Sequence, residues 1–148
     1  MATQFMKLGY DDNVIKEEKF YNLKLNGKTV GVNLGLGLNY YRGLHLSCIQ
    51  KLQVVIDGEE VAPHLMMLAL NGKKFPVDRL PDLFEEYWGI KKTADLLIFN
   101  NGLEDGEHEV EVTLHLRNPY MQFAPGIYGA IDSSCTKKIS LKEEKTLC

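Results

Sequence analysis

The sequence has little that would tie it to a membrane, a metal, an oxidising compartment or a nucleic acid. Of its 148 residues three are cysteine: Cys48, Cys135 and Cys148. They are odd in number, widely spaced and form no C-x-x-C pair, which argues against a disulfide framework and against a zinc site. No run approaches the roughly 18 apolar residues needed to cross a bilayer, so no membrane partner is expected. The start, M-A-T-Q-F-M-K-L-G-Y-D-D, lacks an apolar stretch behind a basic head, and the expected location is the cytoplasm. With 17 Lys and Arg against 20 Asp and Glu, the formal net charge is -3. No positive field exists to concentrate a polyanion, so no nucleic-acid partner is expected. The pairs Lys73-Lys74, Lys91-Lys92 and Lys137-Lys138 read as solvated surface.

Catalytic constellations are equally scarce. The four histidines, His45, His64, His108 and His115, stand at no metal-ligand spacing, so no metal is expected in this chain. His45 alone is held open for a role at a site. Gly31, Gly35 and Gly37 alternate along a strand instead of turning into a helix, which excludes a phosphate-cradling loop. Asp78, Asp82, Glu85 and Glu86 have two readings: paired carboxylates for acid and base work, or charges complementing a helix dipole. The second is the commoner use of such a cluster, and no catalytic residue is expected in this chain.

What the sequence does contain is punctuation. Asn26-Gly27, Asp57-Gly58, Asn71-Gly72, Asn101-Gly102 and Asp105-Gly106 are pairs that supply the positive φ angles of tight hairpin turns. Between them apolar residues recur at every second position, the pattern of strands buried on one face. The cleanest case is Val110, Val112, Leu114 and Leu116, interleaved with Glu109, Glu111, Thr113, His115 and Arg117. The best helix candidate is Asp82–Trp88, opened by Pro81. The fold class expected is all-β: an antiparallel β-sandwich of about eight or more short strands with one short helix at most, forming a single domain over 1–148.

Two stretches stand apart. Residues 118–135, N-P-Y-M-Q-F-A-P-G-I-Y-G-A-I-D-S-S-C, carry two prolines and two glycines and read as an irregular loop, yet one unusually rich in apolar side chains. Residues 30–38 alternate large apolar residues with Gly31, Asn33, Gly35 and Gly37. Glycine within a strand marks a bulge or the close approach of another backbone or ligand. Either this chain covers the bare face or a partner does. The continuation Tyr40-Tyr41-Arg42-Gly43-Leu44-His45-Leu46 favours a partner, because Tyr and Arg are enriched at interface hot spots.

At Y-R-G-L-H-L-S-C-I and at G-E-H-E-V-E-V-T-L-H-L-R-N-P-Y-M the chain resembles the beta subunits of bacterial C-glycoside deglycosidases. The likeness continues through V-V-I-D-G-E-E-V, L-P-D-L-F-E-E-Y-W and D-S-S-C-T-K-K, and so covers nearly the whole length. Each motif alone is weak; their order and spacing make the match fairly specific. The resemblance implies a hetero-oligomer in which this β-sandwich serves a larger alpha subunit resembling a sugar-phosphate isomerase/epimerase barrel. That partner would hold a divalent metal, manganese by the family's habit, with no cofactor in this chain. The implied substrates are 3-oxo C-glucosides of flavonoids and related aromatics, whose carbon-carbon glycosidic bond is broken by elimination. Tyr40, Tyr41, Arg42, Gly43 and His45, with Tyr120, Met121, Phe123 and Tyr128, are then expected at the partner interface or the rim of its site. Two other readings stay open: a stand-alone carbohydrate-binding sandwich with Trp88 and exposed tyrosines as a sugar platform, and a self-sufficient enzyme using Asp82 and Glu85.

Overall fold

Four of the five turn pairs adopt the backbone that their composition invites. Asn26, Asp57, Asn71 and Asn101 have φ of 52°, 51°, 55° and 68°, and the glycine after each lies at 80°, 83°, 77° and 89°. Consecutive positive φ angles match the right-handed twist of flanking strands. Three of these turns close hairpins: β2 (Ile15–Leu25) to β3 (Lys28–Leu36), β5 (Ile49–Ile56) to β6 (Glu59–Glu60), and β7 (Met66–Leu70) to β8 (Lys73–Pro76). The computed structural model describes the backbone of residues 3–6, 14–38, 43–89, 91–124 and 127–146, and the side chains of 14–38, 43–89, 91–117 and 132–146.

The remaining strands are β1 (Thr3–Met6), β4 (Leu44–His45), β9 (Tyr87–Trp88), β10 (Ala94–Ile98), β11 (Glu107–Ala124), β12 (Ile127–Asp132), β13 (Cys135–Ser140) and β14 (Lys142–Thr146). Among the described residues the fourteen strands assemble into two six-stranded sheets and a small pair. The first sheet runs β1-β12-β11-β5-β6, with β13 beside the start of β11; the second runs β14-β2-β3-β10-β7-β8; β4 pairs with β9. Most pairings are antiparallel, but β1 on β12 and β14 on β2 are parallel. Both are edge strands from the two ends of the chain. The core between the sheets takes Phe20, Leu34, Leu36, Leu68 and Leu96 from the second sheet and Val54, Val110, Val112, Leu114 and Leu116 from the first. The expected all-β sandwich is the observed one.

Three expectations about local structure are corrected. Residues 118–124 and 127–132 are strand, not irregular loop: they belong to β11 and β12, which pair antiparallel, and the break comes at Ser133-Ser134. Pro119 is tolerated because it falls in the register gap between Arg117 and Gln122, after β5 has stopped pairing at Leu116 with Ile49. A proline nitrogen, which has no proton to donate, is admissible where the ladder is interrupted. Residues 82–88 form no α-helix. A 3₁₀ turn occupies Val77–Asp82 with Pro81 inside it, and the chain straightens into β9 because Trp88 is buried opposite Leu44.

The glycine-rich face of β3 is covered by this chain, not left smooth for another. A Cβ on Gly31 would run into the backbone carbonyl of Ile98, and one on Gly35 would meet the Cβ atoms of Lys19 and Lys16, where β2 bulges across its neighbour. Asn33, 2% exposed, donates to the Lys19 carbonyl at 2.9 Å and to Asp95 at 3.1 Å.

Among the described residues one buried side-chain polar atom is unsatisfied. Ser133 is fully buried, and its Oγ has no hydrogen-bond partner among the described residues, while its backbone N–H donates to Leu114 O at 2.7 Å. Ser133→Ala leaves the backbone bond in place and removes the desolvated hydroxyl. The expected result is a gain of about 1 kcal/mol in unfolding free energy by urea titration. A loss of similar size would mean that the hydroxyl has a partner.

Candidate functional site

The segment Gly43–Ser47 is fixed to the sandwich by main-chain bonds to a second segment, residues 83–88. Leu44 stands opposite Trp88 and His45 opposite Tyr87. Leu46 N–H donates to Glu86 O at 2.8 Å and Ser47 N–H to Leu83 O at 3.2 Å. The second segment is anchored in turn. Trp88 is 1% exposed and its indole Nε1 donates to Lys92 O at 2.9 Å, while Asn71 Nδ2 donates to Tyr87 O at 2.9 Å. Lys73 forms an ion pair with Glu86 at 2.7 Å, and Lys92 donates to Asn71 Oδ1 at 3.2 Å.

Gly43 is required by packing, since a Cβ there would lie 2.5 Å from the Trp88 carbonyl oxygen and 2.7 Å from Tyr87 Oη. A fixed backbone then presents side chains outward. His45 is exposed and meets the Tyr87 ring edge to face, with centroids 5.1 Å apart at 75°. Tyr87 is 43% exposed and Phe84, three residues before it, is 67% exposed. A phenylalanine that much in water on an anchored loop is the kind of feature that marks a contact surface.

Strand pairing puts the second expected contact stretch at the same end. Leu116 is the partner of Ile49, the first residue of β5, so β11 runs on past the end of β5 where His45 and the 3₁₀ turn Leu46–Cys48 lie. The backbones of Tyr120, Met121, Phe123 and Tyr128 belong to that projecting hairpin, with β1 paired along its outer edge. Gly43 and His45 thus share an end of the sandwich with the main chain of 118–124 and 127–131. The side chains of Tyr120, Met121, Phe123 and Tyr128 lie outside the described residues, as do Tyr40, Tyr41 and Arg42 altogether. Sequence reasoning overlooked Phe84 and Tyr87 by assigning them to a helix. The available signal was two aromatics flanking Glu85-Glu86 just after Pro81.

The residues of the two alternative readings are not brought together. Trp88 is buried, which removes it as a sugar platform. Asp82 ends the 3₁₀ turn and Glu85 sits in the irregular stretch after it, so no helix face aligns them. Among the described residues no group of three or more His, Cys, Asp or Glu could hold a metal ion.

The opposite end of β5, about 26 Å away at about 3.3 Å per residue, holds a cleft of about 650 Å³. Its floor and walls include Asp57, Glu59, Glu60, Leu103, Glu104 and His108. His108 bridges two segments there, with Nδ1 2.6 Å from Asp57 Oδ2 and Nε2 2.6 Å from Glu104 O. Burial is the largest influence on the ring and disfavours its charge; the hydrogen bonds to Asp57 and Glu104 O, with the charges of Asp57 and Glu104, outweigh it and raise the His108 pKa. The hydrogen bond from His108, then that from the Glu109 amide, lowers the Asp57 pKa.

Comparison with known proteins concerns most of the chain and is not confined to either end of the sandwich. The family model for "C-glycoside deglycosidase beta subunit" matches residues 10–120. A C-glycoside deglycosidase beta subunit of Arthrobacter globiformis is 28% identical over 113 residues, 75% of this chain and 86% of the relative. One from Microbacterium trichothecenolyticum is 30% identical over 118 residues, 78% of this chain and 86% of the relative. A 3'-dehydrocarminate deglycosidase beta subunit from a Microbacterium species is 31% identical over 87 residues, 59% of this chain and 66% of the relative.

Proposed function

Because the chain belongs to the family of C-glycoside deglycosidase beta subunits, we propose that it is the accessory subunit of such a complex and that the His45 end of the sandwich faces its partner. The observation that carries the placement is the anchored, exposed ridge of His45, Phe84 and Tyr87 beside the projecting β11-β12 hairpin. In this reading the partner is a larger alpha subunit of the sugar-phosphate isomerase/epimerase type, and the divalent metal, manganese, belongs to that partner. The substrate is a 3-oxo C-glucoside with a flavonoid or related aromatic aglycone. Its 3-ketone acidifies the proton at sugar C2; a base removes that proton, and the aromatic carbon leaves as a neighbouring phenol assists. The accessory chain supplies contact surface and the rim of the site, the usual work of exposed aromatic residues, and Tyr40, Tyr41 and Arg42 directly precede Gly43 in the sequence.

The test is co-expression with the gene next to this one, size-exclusion chromatography with mass determination, and an assay on a 3-oxo C-glucoside. A stable mixed complex that alone releases aglycone is the expected outcome. Arg42→Ala is expected to weaken assembly or turnover by about tenfold or more while the isolated chain keeps its melting temperature. Unchanged assembly and turnover would remove Arg42 from the interface, and sugar binding by the chain alone would favour a carbohydrate-binding module instead.

A further inference from the structure

The His108 end carries a feature that the partner reading does not use. Both ring nitrogens of His108 lie 2.6 Å from atoms that can only accept a hydrogen bond, a carboxylate oxygen of Asp57 and the main-chain carbonyl of Glu104. A neutral imidazole has one N–H and can satisfy one of them; the imidazolium satisfies both. The ring is 11% exposed and its edge meets Phe20, with centroids 6.2 Å apart, so it cannot easily exchange an acceptor for water.

We propose that His108 is a pH-operated clip which, when doubly protonated, ties the Asp57–Glu60 hairpin to the loop at 104–106 and narrows the cleft between them. The surroundings favour the charged ring. From the hairpin it faces Asp57, with Glu59 and Glu60 along the same cleft; from the loop it faces Glu104. Phe20 of β2 and Ile139 of β13, the cross-strand neighbour of His108, are uncharged. Its own strand adds Glu107 and Glu109, the latter in register with Lys138. Among the described residues lining the cleft His108 is the single cationic group.

The order of release follows from charge. Asp57 is an anion and keeps the last ring proton on Nδ1, so deprotonation removes the Nε2 bond and sets a lone pair against the Glu104 carbonyl. The adjoining loop has two other tethers. Leu141 N–H donates to Gly106 O at 3.1 Å, downstream of Glu104. Leu103 N–H donates to Asn22 Oδ1 at 2.9 Å and Asn22 Nδ2 returns a bond to Leu103 O at 2.8 Å, a pair that does not titrate. Opening is therefore expected at 104–106 and not at 103.

The sign is fixed by linkage. The His108 contribution, its pKa being raised, is full below the ordinary 6.5 and is lost as pH rises through the folded-state value. The Asp57 contribution, its pKa being lowered, is present above 3.8 and is lost as pH falls through the folded-state value. The clip is tightest between those limits.

The test uses the full chain labelled with ¹⁵N and titrated from about pH 5.5 to 9, the span over which histidine titrates. Ring nitrogen shifts of His108 are read together with amide hydrogen exchange corrected for base catalysis. Both nitrogens are expected to carry protons at the low end and to lose one in a transition above 6.5. Exchange of the Leu141 amide is expected to accelerate through the same transition by about tenfold, the factor of one charge-assisted hydrogen bond, while Leu103 stays protected. Asp57→Asn is expected to move the transition down. A ring with one bare nitrogen at low pH, a transition at or below 6.5, or a Leu141 amide that tracks Leu103 would overturn the proposal, each in the unaltered protein.

Discussion

Trp88→Ala is expected to lower the unfolding free energy by about 3 to 5 kcal/mol, the range for removing a fully buried large aromatic. The side chain is 1% exposed within the principal core, and truncation leaves a cavity that its neighbours can collapse into only in part. It also leaves Lys92 O without the indole donor that sits 2.9 Å away, an unpaired acceptor in a partly buried place. For a chain of this size the loss corresponds to about 10 °C or more in melting temperature by circular dichroism. Because Trp88 is the residue through which the 83–88 segment is nailed to the body, its loss also loosens the main-chain pairing with Leu44 and His45. Trp88→Phe, which refills most of the volume but has no N–H, is expected to recover about half of the deficit. A melting temperature within about 2 °C of the parent for Trp88→Ala would show that the loop is held by its backbone bonds alone.

Simultaneous Phe84→Ala and Tyr87→Ala is expected to do the reverse: little to stability and much to assembly. Phe84 and Tyr87 are 67% and 43% exposed, so truncation opens no core cavity. None of the bonds that fix the loop uses the Phe84 or Tyr87 side chain: Glu86 O accepts from Leu46 N–H, Tyr87 O from Asn71 Nδ2, and the Trp88 indole donates to Lys92 O, so all survive the substitutions. Only the outward surface changes, including the edge-to-face support of His45 by the Tyr87 ring. Central aromatic residues of an interface commonly contribute about 2 kcal/mol or more each when truncated, so affinity for the partner subunit is expected to fall by about a hundredfold or more, read by titration calorimetry or by dissociation on a size-exclusion column. An affinity within about twofold of the parent would place the interface elsewhere.

The strands and turns were legible because their causes are local. An Asn-Gly or Asp-Gly pair adopts two positive φ angles for its own reasons, and the alternation of Val110 to Leu116 needs no knowledge of what lies across the core. The glycines of β3 were misread because their cause is remote: Gly31 is bare to admit the carbonyl of Ile98, 67 positions along the chain, and Gly35 to admit a bulge of β2. Pro119 misled for a related reason, since whether a strand tolerates proline depends on where its neighbours stop pairing. The 82–88 stretch has apolar residues at helical spacing, but a tryptophan that must be buried opposite Leu44 overrode that periodicity. For the site, composition singled out the stretch at 40–46, whereas Phe84 and Tyr87 became visible only once the second loop was placed beside Gly43–Leu46.

The most direct test of where the partner docks is amide hydrogen exchange of this chain, free and in complex with its partner subunit. Protection is predicted at 43–47, 83–88 and 117–131, with the 57–60 hairpin and the 104–106 loop exchanging as in the free chain. Protection confined to the His108 end, or to the outer face of the second sheet, would contradict the account.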